Sequence, residues 1–114
     1  MRQNESKIQI ACVNWFRLQY PQYLLFSIPN GGSRNVIEAV RLKKEGALAG
    51  IPDTCIVTDK KVFFIELKDG KKKPTPNQLE IHDKLRKLGI DVYVCGSFDE
   101  FRETVISTCG KSAR

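Results

Sequence analysis

The sequence lacks any apolar run near the roughly 20 residues that a membrane-spanning helix needs, and it opens with the polar stretch MRQNESK rather than a signal-peptide core. It also lacks C-x-x-C spacing and has only one histidine, so no zinc site is expected. No internal repeat, low-complexity segment or linker is present. These absences favour a cytoplasmic protein that does not enter membranes. We expect its four cysteines to be reduced and buried, and they are Cys12, Cys55, Cys95 and Cys109.

The 114 residues fit one compact domain, and the chain is long enough to fold without disulfides or metal staples. With 41% hydrophobic and 28% charged residues, the balance is that of a globular protein. Nineteen Lys and Arg residues against 13 acidic ones give a net charge of +6. This surplus favours a polyanionic partner, nucleic acid first, although many small proteins are basic for solubility alone.

Apolar periodicity predicts the order helix, strand, helix, strand, strand, helix, strand, helix. The class is therefore mixed α/β, with a four-stranded sheet flanked by helices on both faces. The first helix should bury a stripe that contains Ala11, Cys12 and Phe16, and the second should turn Val36, Ile37 and Val40 inward. The predicted elements span about 4–19, 23–28, 34–45, 54–58, 62–67, 75–88, 90–95 and 97 onward.

The two central strands should form a hairpin whose turn is Asp59-Lys60. That turn pairs Cys55 with Phe64 and sets Asp53 opposite Glu66. Directly opposed residues share one face of a sheet, and alternation brings Lys68 to that same face. The predicted hairpin therefore assembles two carboxylates and one ammonium group.

Two carboxylates this close repel each other by about 3 kcal/mol at an effective dielectric constant near 20. A divalent cation such as Mg²⁺ or Mn²⁺ would offset the repulsion, because adjacent carboxylate oxygens suit these ions. Lys68 alone could also neutralise one of the two charges. The residues by themselves leave both explanations open.

The segment Gly50-Ile51-Pro52-Asp53, followed by Ile65-Glu66-Leu67-Lys68, resembles the P-D…E-x-K signature of restriction-endonuclease-like nucleases. The chain resembles more specifically the small stand-alone form of the VRR-NUC domain. Glu5 on the first helix, the segment 29–34 and Gln78 support that resemblance, which covers about residues 5–106. It implies that residues 1–114 form a single nuclease domain with a restriction-endonuclease-like core.

The resemblance implies a Mg²⁺-dependent endonuclease that hydrolyses DNA and in which Mn²⁺ can replace Mg²⁺. Asp53, Glu66 and the backbone carbonyl of Leu67 would ligate the metal, joined by Glu5 directly or through water. Lys68 would position or activate the attacking water. The resemblance further implies a homodimer that cuts branched DNA such as a Holliday junction.

Three other polar residues have a local explanation beside the functional one. Glu5 suits the positive end of a helix dipole, although it falls on the inner stripe. Gln78 either completes a capping box with Thr75 or faces the site. His82, on the apolar stripe of the third helix, is interpreted as a core histidine rather than a catalytic base.

Two segments are candidates for contact with nucleic acid. The turn that contains Asn30, Gly31 and Gly32 either simply reverses the chain or approaches DNA, with Arg34 near a phosphate. The run of three lysines either forms a solvated loop or makes nonspecific phosphate contacts. That run consists of Lys71, Lys72 and Lys73.

The main alternative function is a non-catalytic module of the same fold that binds DNA or a protein. A helix-turn-helix regulator is disfavoured, because a strand separates every pair of successive predicted helices.

Overall fold

A computed structural model describes residues 2–29 and 35–111, and within these ranges the predicted element order is confirmed. Within the same ranges, every helix is too short or too polar to cross a bilayer. The elements are α1 (Arg2–Gln19), β1 (Leu24–Ser27), α2 (Val36–Lys44), β2 (Thr54–Val57), β3 (Val62–Leu67), α3 (Pro76–Lys87), β4 (Asp91–Cys95) and α4 (Phe98–Cys109).

The four strands form one mixed sheet in the order β1-β2-β3-β4. The first two pairings are antiparallel, and β3 pairs with β4 in parallel. Cys55 lies opposite Phe64, and the amide of Thr58 donates to the carbonyl of Lys61 at 2.9 Å. The two-residue turn and the predicted register are therefore confirmed.

Helices α1 and α4 pack on one face of the sheet and enclose the main core. Cys12 and Phe16 are buried in it one helical turn apart, whereas Ala11 is exposed, so the buried stripe of α1 is narrower than predicted. The Tyr20 hydroxyl donates to the carbonyl of Gly110 at 2.7 Å and ties the end of α1 to the end of α4. Cys95 joins the same core from β4.

The predicted burial of the cysteines is confirmed for Cys12, Cys55 and Cys95, while Cys109 is half-buried. All four are free thiols. Burial raises the pKa of the Cys12 thiol to about 12, so this sulfur is a packing group rather than a nucleophile.

Helix α3 packs against the opposite face of the sheet. Successive strand residues point to opposite faces, so Glu66 points away from the core that Ile65 and Leu67 enter. His82 of α3 meets Glu66 on that second face. The hairpin thus presents its acidic face to α3.

The prediction that α2 turns its apolar stripe inward is wrong. α2 buries none of its residues, and Val36, Ile37 and Val40 are 77%, 83% and 46% exposed. Helical spacing shows that these three side chains share a face, but it does not show what covers that face. In the single chain the stripe points to solvent.

Candidate active site

A pocket of about 500 Å³ opens where β3 ends, beside the first turn of α3 and the N-terminal half of α1. All six residues predicted for the catalytic and metal-binding roles line this pocket. They are Glu5, Asp53, Glu66, Leu67, Lys68 and Gln78.

Asp53 is fixed at both its backbone and its side chain. Its carbonyl accepts from the amide of Ile28 at 2.7 Å, and its Oδ2 accepts from the amide of Leu67 at 2.8 Å. The N–H and C=O of a strand residue point to the same side of the strand, so the Leu67 carbonyl is also directed toward Asp53. Asp53 and Leu67 therefore bring two oxygen atoms to one end of the hairpin.

Glu66 is 1% exposed and carries its carboxyl group into the pocket. The Asp53 carboxyl lies within hydrogen-bonding reach of it. Burial, followed by this contact and by the charge of Asp53, raises the pKa of Glu66 well above its ordinary range. Ionising both acidic groups in this confined site is therefore unfavourable, and a cation would relieve the repulsion between the two carboxylates.

Lys68 and Glu5 face the same pocket with opposite charges. Lys68 follows β3 directly, and its amide donates to the carbonyl of Cys95 at 2.9 Å. Its ammonium group lowers the pKa of Glu66, whereas the Glu5 carboxylate raises it. Glu5 comes from α1, which packs on the other face of the sheet, and both side chains are half-buried.

Gln78 combines the two roles that the sequence left as alternatives. Its Oε1 accepts from the amide of Thr75 at 2.9 Å, and the Thr75 hydroxyl accepts from the amide of Gln78, which completes a capping box. Its Nε2 donates to Oε2 of Glu66 at 3.3 Å. The same side chain therefore starts α3 and contacts the site.

The predicted burial of His82 is confirmed, since its side chain is 0% exposed. Its Nε2 lies 3.1 Å from Oε1 of Glu66, a contact that the sequence reasoning missed. Burial, aided by the charges of Arg86 and Lys68 and opposed by Asp53, lowers the pKa of His82, so the imidazole is neutral at pH 7. Its i, i+4 spacing from Gln78 was the signal that could have revealed the contact.

The lysine run lies beside the pocket. Lys71, Lys72 and Lys73 are exposed on the loop that connects Lys68 to Thr75, and both of these flanking residues line the pocket. The other predicted nucleic-acid contacts fall outside the described residues. These are Asn30, Gly31, Gly32 and Arg34.

The pocket continues into a smaller cavity of about 210 Å³ along α1 and β1, since both are lined by Gln9, Ile10 and Ser27. Arg17 lies at the far end, and its guanidinium donates to the carbonyl of Leu25 at 3.1 Å. Arg17 lies twelve positions after Glu5 on this helix, a distance of about 18 Å at the usual helical rise. A groove lined by both polar and apolar side chains therefore runs from the site toward Arg17.

The donor set fits a hard divalent cation. Within residues 2–29 and 35–111, no three His, Cys, Asp or Glu side chains are arranged as a complete cage for a metal ion. Mg²⁺ does not require one, because it keeps several waters and binds through one or two carboxylates together with substrate phosphate. The adjacent carboxyls of Asp53 and Glu66 and the carbonyl of Leu67 match that requirement.

Comparisons with known proteins bear on the family and the fold. The family model described as VRR-NUC domain matches residues 1–99. A solved structure titled "VRR_NUC domain" is 25% identical over 91% of this chain and 95% of its own, with a TM-score of 0.65. Another, titled "VRR_NUC domain protein", is 24% identical over 97% of both chains, with a TM-score of 0.75. A search of curated proteins found no match.

Proposed function

The chain belongs to the VRR-NUC domain family and has a nuclease-family fold, and from this premise we propose that it is a Mg²⁺-dependent endonuclease that hydrolyses DNA phosphodiester bonds. One observation supports the proposal above all others. The acidic pair Asp53 and Glu66 and the basic Lys68 line a single pocket. Asp53 directly precedes β2, Glu66 lies within β3, and Lys68 directly follows β3.

Asp53, Glu66 and the Leu67 carbonyl would hold the cation, and Glu5 would add a fourth oxygen directly or through water. When bound, Mg²⁺ supplies Lewis-acid polarisation of the phosphate and lowers the pKa of a coordinated water. Mn²⁺, which also prefers oxygen ligands, should replace it.

Lys68 is the cationic side chain that lines the pocket beside the two carboxylates. Its ammonium group would orient the attacking water and stabilise the negative charge that develops on the phosphate oxygens. Because Lys68 is half-buried, this interaction is screened less than it would be on an open surface.

The surroundings of the pocket suit a polyanionic substrate. Lys71, Lys72 and Lys73 would contact phosphates on one side of the scissile bond, and contacts to the backbone position DNA without reading its sequence. The groove toward Arg17 would accommodate the strand on the other side. Asn30, Gly31, Gly32 and Arg34 keep their proposed role as DNA contacts.

We further propose that the enzyme is a cytoplasmic homodimer that cuts branched DNA, including four-way junctions. The exposed apolar stripe of α2 supports a subunit contact, because clustered apolar side chains on a surface commonly mark an interface. A two-fold dimer carries two pockets related by its axis, so it can cut two symmetric strands of one junction. The free thiols suit a reducing compartment.

The experiment that tests the proposed function is cleavage of a panel that contains linear duplex, flap, fork and four-way junction DNA. Each substrate is incubated with Mg²⁺, with Mn²⁺ and with EDTA. We expect cutting that requires either metal, is strongest on branched DNA, and is lost in Asp53→Ala. The matched control is Asp83→Ala, which removes an exposed carboxylate that pairs with Lys87 on α3.

DNA binding without cutting in either metal would contradict the proposal and would favour the non-catalytic module. Cutting that persists in Asp53→Ala would show that another site is responsible.

A further inference from the structure

Helix α3 holds both oxygens of the Glu66 carboxyl group. His82 Nε2 lies 3.1 Å from Oε1, and Gln78 Nε2 lies 3.3 Å from Oε2. The two side chains are four residues apart, so they project from successive turns of the same helical face. Glu66 and His82 are almost completely excluded from solvent.

The hydrogen-bonding pattern assigns the proton of the imidazole. Nδ1 of His82 has no hydrogen-bond partner among the residues that the structure describes. A buried N–H without an acceptor is rarer than a buried lone pair without a donor. The proton therefore lies on Nε2, and the neutral ring donates to Glu66.

Two donors do more for a carboxylate than one. The terminal torsion of a glutamate side chain is broad, so a single hydrogen bond leaves the plane of the carboxylate free to turn. Donors on separate oxygens fix that plane, and each oxygen keeps a lone pair for another ligand. Without His82, Oε1 would lose a donor that lies 3.1 Å away in a buried position.

We propose that His82 is a positioning residue, whose Nε2–H orients the Glu66 carboxylate for metal binding. This inference rests on the proposed function, since it assumes that Glu66 is a metal ligand. It assigns His82 neither proton transfer nor contact with substrate. Groups that hydrogen-bond to metal ligands typically change metal affinity or activity by about 10- to 100-fold.

The test compares the affinity for Mn²⁺, measured by titration calorimetry without DNA, in the wild type and in three variants. His82→Leu fills the space but cannot donate, so we expect its dissociation constant to rise about 10- to 100-fold. His82→Gln can donate from a similar reach and should recover a large part of that loss. Ile81→Val changes a buried neighbour on the same helix and should leave the affinity unchanged.

A second measurement needs no variant, because His82 is the only histidine and gives a single imidazole signal. Nitrogen-15 NMR of the wild type should show the Nε2–H tautomer, with a saturable shift on addition of Mg²⁺. The Nδ1–H tautomer, or an imidazole signal that does not respond while the metal binds, would overturn the proposal.

Two other outcomes are distinguishable. If the wild type binds Mn²⁺ and His82→Leu binds it equally well, the positioning role is wrong while the proposed function stands. If the wild type binds neither metal even when DNA is present, both fail together. Equal weakening in His82→Leu and Ile81→Val would assign the effect to packing and would also overturn the proposal.

Discussion

Replacing Lys68 should affect catalysis without unfolding the protein. Its side chain is half-buried at the pocket, and the residue follows β3 rather than lying within it. Its ammonium group would act on charge that develops during the reaction. We therefore predict that Lys68→Met lowers the rate of cleavage by about 100-fold or more while the DNA dissociation constant stays within a few-fold. Single-turnover kinetics and fluorescence anisotropy measure the two quantities.

The control is Lys84→Met, which removes an exposed lysine from the last turn of α3. A cleavage rate in Lys68→Met equal to that of Lys84→Met would refute the assigned role.

Gly50 illustrates a residue that is required for backbone reasons. Its φ is +91°, and an added Cβ would lie 2.9 Å from the carbonyl oxygen of Asn77. Gly46 has a φ of +108°, but a Cβ there would meet nothing within 4 Å. Gly50→Ala should therefore destabilise the fold by at least about 1 kcal/mol, and by more than Gly46→Ala, because only the first adds a clash to the strain.

Urea denaturation of both variants measures the difference in the free energy of unfolding. Equal destabilisation of the two variants would contradict this prediction, because it would mean that the start of α3 moves away from the added methyl group at little cost.

The contacts of two residues, Gln78 and His82, could not be predicted from the sequence. Two functions were open for Gln78, because the pattern of a capping box does not say what the amide nitrogen does. In the structure, Oε1 of Gln78 accepts the capping hydrogen bond, and Nε2 of Gln78 donates to Glu66. His82 was placed in the core, but its contact with Glu66 depends on how α3 packs against the sheet, which helical periodicity does not specify.

At the scale of elements, the β2–β3 hairpin was the most predictable part. A two-residue turn and strand alternation fix the register, and the observed pairing of Cys55 with Phe64 follows from them. Helix α2 was the least predictable. Its apolar stripe predicts a buried face, yet nothing in the described part of the chain buries that face.

The loop between β3 and α3 should supply part of the nonspecific affinity for DNA. Replacing Lys71, Lys72 and Lys73 by Gln removes three exposed charges beside the pocket. The slope of log affinity against log salt should become shallower by about 0.9 for each lost contact with duplex DNA. Binding isotherms at several salt concentrations measure it.

A triple variant with the same change in net charge, at Lys84, Lys87 and Lys111, serves as the control. If both triple variants change the slope equally, the lysine run makes no specific contribution to DNA binding.

At the scale of the whole molecule, the proposed dimer links the apolar stripe of α2 to the cutting of branched DNA. A substitution in the stripe that prevents dimerisation should also change which substrates are cut. Ile37→Lys places a charge on a side chain that is 83% exposed in the single chain, so it should not disturb the fold. It should convert a dimer into a monomer and should reduce paired cutting of four-way junctions. Sedimentation velocity and a junction assay that resolves one nick from two nicks report these effects.

Leu88→Lys is the matched control, because Leu88 is 80% exposed at the end of α3. A wild type that sediments as a monomer, or an Ile37→Lys variant that remains dimeric, would contradict the assignment of this stripe to a subunit contact.

The central claim is that Asp53 and Glu66 bind one divalent cation at the end of the hairpin. The most direct measurement is an anomalous difference map from crystals of the wild type soaked in Mn²⁺. We expect a peak about 2.0–2.3 Å from a carboxylate oxygen of each residue and near the carbonyl of Leu67. A map with no peak in this pocket, while Mn²⁺ is bound elsewhere on the protein, would contradict it.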